Sequence, residues 1–216
     1  MKRVNRFNTG RFCRRLLGCG LVVGLSLLAG SGCGQKGKID SNRYTALGEV
    51  MAGKTIELCG GKGTIVLVIS ESDKDKPTAS GQTIAAFRKA LGKAVPVAAI
   101  ESVKTPAMIM RGIEPLPAAK FAELLQKYST ADYLVSFVGV PLLTPDQIAQ
   151  LPTPRPQVVV AVVHNAPARA MFAQKVICLA AIPKVASDVA AANSPQELFD
   201  AQYQLITPET AGLLPN

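Results

Sequence analysis

Several groups of residues in this 216-residue chain are of types that can do chemistry. Gly48-Glu49-Val50-Met51-Ala52-Gly53-Lys54-Thr55 fits the phosphate-loop spacing G-x4-G-K-T, in which free backbone amides and a lysine cradle phosphate oxygens. Glu71, Asp73 and Asp75 crowd one short stretch, as carboxylates do where they hold Mg²⁺. Thr78, Ser80 and Thr83 follow, and such hydroxyls can line an anion site. His164, the single histidine, precedes Asn165 and is the one side chain placed to exchange protons near neutral pH. One histidine cannot build a multi-histidine zinc site, and there is no G-x-S-x-G nucleophile elbow. No metal or cofactor site is therefore expected.

These residues take their meaning from the elements that carry them. Residues 64–70, 95–101, 133–140, 157–164 and 176–182 are continuous apolar, β-branched runs, the pattern of strands covered on both faces. Helical spacing occupies 44–58, 81–91, 118–128, 145–151 and 166–174, and a last short strand is expected over 203–207. Thr144-Pro145-Asp146-Gln147 and Ser194-Pro195-Gln196-Glu197 have capping-box spacing with Pro at the first helical position. The alternation predicts one doubly wound α/β domain over 43–216: a Rossmann-like, flavodoxin-like three-layer sandwich of five to six strands, ordered 2-1-3-4-5.

On that frame most of the motifs lose their chemistry. The phosphate-loop spacing falls inside a helix, whereas the loop must follow a strand and open a helix. Thr78 to Thr83 resembles the phosphate loop of flavodoxins in position. The acidic stretch before it repels phosphate, there is no Trp for a flavin ring, and Ser80 reads as a plain helix N-cap. The carboxylates resemble those of receiver domains and phosphatases. A receiver also needs an Asp ending its third strand, where this chain has Phe137-Val138-Gly139, and a phosphatase needs Asp as the first residue off the strand, where this chain has Ser70-Glu71. What remains is a set at strand carboxyl ends, where open α/β sheets bind ligands: Ser70, Glu71, Glu101, His164 and Asn165. They are candidate ligand contacts; no catalytic set is assigned.

The formal charge of +9 is largely an N-terminal matter. Lys2, Arg3, Arg6, Arg11, Arg14 and Arg15 precede residue 33, and without them 18 basic residues face 15 acidic ones. That remainder, with 5% aromatics and no Trp, argues against nucleic acid as a partner. The basic segment 1–15 leads into the apolar run 16–29, too short for a membrane span of roughly 20 residues but suited to a signal peptide. Leu28-Ala29-Gly30-Ser31-Gly32-Cys33 resembles the cleavage segment of bacterial lipoproteins, with Gly30 where that family usually carries Leu. The resemblance implies a signal peptide over 1–32, a diacylated (palmitate-type) Cys33, a tether over 33–42 and a membrane-anchored domain facing the periplasm. Gly34, where Asp would retain the protein at the inner membrane, implies the outer membrane in a diderm source. Cys59 and Cys178 are left to the domain, expected as separate buried thiols, with a bridge as the alternative.

The order of the pieces resembles the second lobe of type I periplasmic solute-binding proteins. The likeness rests on residues 44–52, the turn Gly60-Gly61-Lys62-Gly63 before the first strand, the helix ending Ala85-Ala86-Phe87-Arg88-Lys89-Ala90-Leu91, and Ala131-Asp132-Tyr133-Leu134-Val135. It departs at His164-Asn165, where the family has Asp, and the first lobe is absent. The resemblance implies non-catalytic binding of a small polar ligand, the cleft completed by a second copy or an envelope partner. Two other readings stand beside it: an assembly lipoprotein docking through an exposed apolar patch at Val140-Pro141-Leu142-Leu143, and an enzyme using His164 with Glu71 or Glu101.

Overall fold

The strand Ile-Val-Leu-Val-Ile-Ser, β1 (Ile65–Ser70), is buried at all six positions and lies inside a single six-stranded sheet. The computed structural model describes residues 41–74, 78–104, 116–162, 165–184 and 192–214, without the side chains of 41–42 and 165–167. All of them fall in the unit Gly37–Asn216. Beside β1 run β2 (Val97–Val103) and β3 (Tyr133–Ser136), followed by β4 (Gln157–Val160), β5 (Leu179–Pro183) and β6 (Tyr203–Ile206), in the order β2-β1-β3-β4-β5-β6. The first five are mutually parallel, in the expected order, and β6 closes the far edge antiparallel to β5. The strands β3 and β4 end earlier than their apolar runs do, because the chain turns out of the sheet at Phe137 and Ala161.

The two-residue period of β1 divides the core. Ile65, Leu67 and Ile69 face α1 (Ser41–Cys59), α2 (Ala79–Leu91) and α6 (Pro195–Gln202), packing with Met51, Phe87 and Phe199. Val68 faces the other layer, α3 (Ala118–Lys127), α4 (Pro145–Ala149) and α5 (Asn165–Ala173), with Phe121, Leu124, Leu125 and Phe172. Among the described residues no helix is long and apolar enough to cross a membrane.

Three local expectations are corrected. The strand β2 is not covered on both faces: it is the sheet's terminal strand, its residues alternate in burial, and Ile100 is 41% exposed. A register shift between Ile65 and Val66 also inserts Ala98 as an extra residue, so Val97 and Ile100 both fall on the α2 side. The N-cap of α2 is Thr78 rather than Ser80: its hydroxyl accepts from the Gly81 amide at 2.8 Å and donates to Asp73 at 2.7 Å, tying the helix to the turn Glu71–Asp73. At α4 the capping box forms in full, Thr144 and Gln147 each accepting from the other's amide. At α6 Ser194 accepts from the Glu197 amide, but the Glu197 carboxylate takes the amide of Asn193, one residue earlier than the box requires.

The phosphate-loop spacing lies wholly within α1, as its periodicity requires. Lys54 pairs with Glu57 at 2.7 Å, and the buried Thr55 hydroxyl donates to the Met51 carbonyl at 2.8 Å. Gly48 has a packing role instead. A Cβ there would stand 2.3 Å from the Thr83 carbonyl oxygen and 2.8 Å from the Phe87 nitrogen, so it is the absent side chain that lets α1 approach α2. At Gly53 a Cβ would meet nothing within 4 Å. Gly48→Ala is therefore expected to cost about 1–3 kcal/mol or more, because the obstructing atoms are backbone. Gly53→Ala should stabilise by about 0.5–1 kcal/mol through helix propensity alone. Urea unfolding of the two variants checks both signs.

Candidate functional site

In a parallel sheet the chain turns to opposite faces where the strand order reverses, which opens a crevice at the strands' carboxyl ends. Here the reversal lies between β1, which leads to α2 on one face, and β3, which leads to α4 on the other. Ser70 ends β1 and is 6% exposed. Its Oγ accepts from the Ser72 amide at 3.3 Å and lies 2.8 Å from the Ser72 hydroxyl, turning the chain into a 3₁₀ turn, Glu71–Asp73, with Glu71 exposed.

On the β3 side, Ser136 donates to the Gly139 carbonyl at 2.6 Å, and Gly139 takes φ +80°, a backbone that suits glycine alone. Between them the Phe137 amide donates to the Val68 carbonyl at 2.9 Å, and its ring meets Phe87 edge-on at 5.2 Å. This turn was absent from the sequence-derived set. Its signal was Gly139, a glycine inside the apolar run 133–140.

Of the five candidates, the structure places Ser70 and Glu71 together at the reversal point. Asn165 opens α5, directly after the β4 connection, with its side chain outside the description, and His164 lies outside the described residues altogether. Glu101 is displaced from the expected position, because β2 runs on to Val103: Glu101 pairs with Val68, and it is Val103 that pairs with Ser70. Its carboxylate accepts from Lys127 and from the Tyr128 hydroxyl on the α3 side. The Lys127 hydrogen bond, with that of Tyr128, holds its pKa below the usual carboxylate value. A carboxylate so engaged is a structural ion pair. The apolar patch also dissolves: Val140, Pro141 and Leu143 are buried, and Leu142 alone is exposed, at 57%.

Nothing described is activated as a nucleophile or a metal ligand. Cys59 and Cys178 are separate free thiols, as expected, but each is half-buried rather than buried. Burial pushes Cys178 up to about 11, and burial followed by the charge of Asp132 raises Cys59, so both stay protonated near neutral pH. Among the described residues no three of His, Cys, Asp and Glu gather as metal ligands.

No known family profile matches the sequence, and no curated protein matches it. The fold does have relatives among solved structures. It is similar to AraP, an arabinose-binding protein from Geobacillus stearothermophilus, at TM-score 0.53 and 12% identity, over 81% of this chain and 64% of that one. It is similar to an ABC transporter solute-binding protein from Burkholderia graminis in complex with D-arabinose, at 0.52 and 13%, over 77% and 60%. A sugar-binding protein of a sugar ABC transporter from Bacillus halodurans matches at 0.52 and 15%, over 81% and 65%. The chain thus spans about three fifths of the length of these proteins, and what they share with it is the fold.

Glu101 offers a check on this division of roles. Its folded pKa is lowered, so its ion pair contributes stability above the unfolded carboxylate value of about 4.3 and loses that contribution as pH falls through the folded value. Glu101→Gln should lower the thermal midpoint near pH 7, and the gap to wild type should close in acid below pH about 4. A pH series of melting curves reads this directly.

Proposed function

We propose that this chain is a lipid-anchored, non-catalytic binding lobe of the bacterial cell envelope that holds a small polar ligand at the carboxyl edge of its sheet. The observation that carries the reading is the fold itself: a 2-1-3-4-5 parallel sheet with an antiparallel sixth strand, matched by proteins whose names say they bind sugars. The sequence supports the anchor through the apolar run and the small residues before Cys33. Two or three acyl chains on one residue suffice for stable attachment, since each buried methylene contributes about 0.8 kcal/mol.

The chemistry at the reversal point fits a neutral, hydroxyl-rich ligand. Glu71 is an exposed carboxylate beside a buried serine, a pair that can accept from and donate to sugar hydroxyls. Acidic neighbours such as Asp73 disfavour a phosphate or carboxylate ligand at the same place. His164 and Asn165 stay candidate ligand contacts on the strength of following β4 in the sequence. Glu101, bound to Lys127 and Tyr128, is not needed there. One lobe supplies half of a cleft, so a second surface (another copy or an envelope partner) closes it.

Calorimetric titration of the purified chain with D-arabinose and a panel of other pentoses and hexoses tests the binding reading. One sugar should bind saturably, and Glu71→Gln should weaken it about tenfold, the scale of a lost charge-assisted hydrogen bond, with the melting midpoint unchanged. No heat from any sugar, or an unaffected Glu71→Gln variant, would overturn it. The anchor is checked separately: Cys33→Ala should abolish palmitate incorporation and move the chain out of the membrane fraction.

A further inference from the structure

At the opposite end of α2 from the reversal point, a cavity of about 790 Å³ lies between the helix and the outer strand β2. Val97 and Ile100 supply its apolar floor. The bulge at Ala98 keeps both on the α2 side, and Ile100, although paired with the fully buried Leu67, is itself 41% exposed. Its rim is basic: Arg88 and Lys89 from the last turn of α2, and Lys93 just past Gly92, which ends the helix at φ +53°.

Among the described residues Arg88, Lys89 and Lys93 form no ion pair, unlike Lys54, Lys120 and Lys127. Lys62, Lys74 and Lys175 form none either, so what marks the rim is the gathering of three cations round one apolar floor. Attraction to the α2 carboxyl terminus accounts for Arg88 and Lys89, which lie in its last turn. It accounts neither for Lys93, beyond the helix, nor for the bare Ile100. Along the same groove runs one side of a terminal strand, whose backbone groups no described strand pairs.

We infer that the groove between α2 and the outer edge of β2 is a docking site for an extended acidic segment of a partner protein, added beside β2 as a further strand. Main-chain hydrogen bonds to the edge give such a segment its affinity, and alternate side chains give it specificity. Here one apolar side chain rests on Ile100 and Val97, and the acidic ones meet Arg88, Lys89 and Lys93. The same charges reject a second copy of this chain, because symmetric edge pairing would bring two basic rims together. A flat bilayer surface does not fill a concave groove. The inference is independent of sugar binding, since it concerns the other end of the helix.

The test uses two fluorescein-labelled peptides of about eight residues with Thr at every second position, the intervening positions carrying one Val flanked by Glu in the acidic peptide and by Lys in the basic one, titrated into the full chain in about 50 mM and about 300 mM salt. The acidic peptide should bind saturably, about tenfold or more tighter than the basic one, and weaken at higher salt. It alone should slow amide hydrogen exchange across residues 97–100. Reversing the rim with Arg88→Glu, Lys89→Glu and Lys93→Glu together should abolish acidic binding. Lys93→Glu, outside the helix, serves alone if the triple variant fails to fold, and should weaken it severalfold. Unchanged exchange at 97–100 with the acidic peptide, equal binding of both peptides, acidic binding that survives the reversal, or self-association through this edge would each overturn the inference.

Discussion

The seam between β1 and β3 is the constraint on which the rest of the molecule depends. It is closed at both ends by bonds beyond the ladder itself. At the amino end the Asp132 carboxylate accepts from the Thr64 amide at 2.7 Å and from the Thr64 hydroxyl at 3.1 Å, which holds its pKa below the ordinary carboxylate value. At the carboxyl end the Phe137 amide donates to the Val68 carbonyl. Between these clamps Ile65, Val66, Leu67 and Val68 stand opposite Tyr133, Leu134, Val135 and Ser136, all buried. Because the two strands dispatch their helices to opposite faces, this one register creates both core layers and the reversal point above them.

The layers were legible because burial leaves a strong imprint on composition. A strand covered on both faces admits almost nothing but apolar, β-branched side chains, and β1 reads as one without ambiguity. The helix α1 was legible through its glycines, turn and periodicity. Its resemblance to a phosphate loop showed how little a motif means without its strand-to-helix context. The edge strand was misjudged for a related reason. Val97, Ala98, Ala99 and Ile100 are as apolar as a central strand, and only the tertiary position of β2 leaves Ile100 in solvent.

The candidate site was less legible because it is made by where strands stop. Glu101 was assigned to the crevice on the assumption that β2 ends with it. Two further residues of pairing carry the strand past it, and Lys127, which ends α3, and Tyr128 just after it take its carboxylate. The turn from Ser136 to Gly139 depends on one side-chain-to-backbone bond and one positive φ, neither of which has a periodic signature. Ser70 and Glu71 were placed correctly at the end of β1, because that strand's boundary coincides with the end of its apolar run.

Two surfaces of different character follow from this architecture. The reversal point offers hydroxyls and a carboxylate, and a neutral polar solute is the ligand proposed for it. The α2–β2 groove offers three cations without an ion pair among the described residues, over an apolar floor, and an acidic segment is the partner inferred for it. The account stands or falls on the first. Amide chemical-shift mapping of the labelled chain against D-arabinose and its stereoisomers tests it most directly. The account predicts shifts concentrated at Ser70, Glu71, Phe137 and Gly139, with Lys62 and Gln157 at the amino edge unmoved. Shifts at the amino edge or in the α2–β2 groove, or none at saturating sugar, would contradict it.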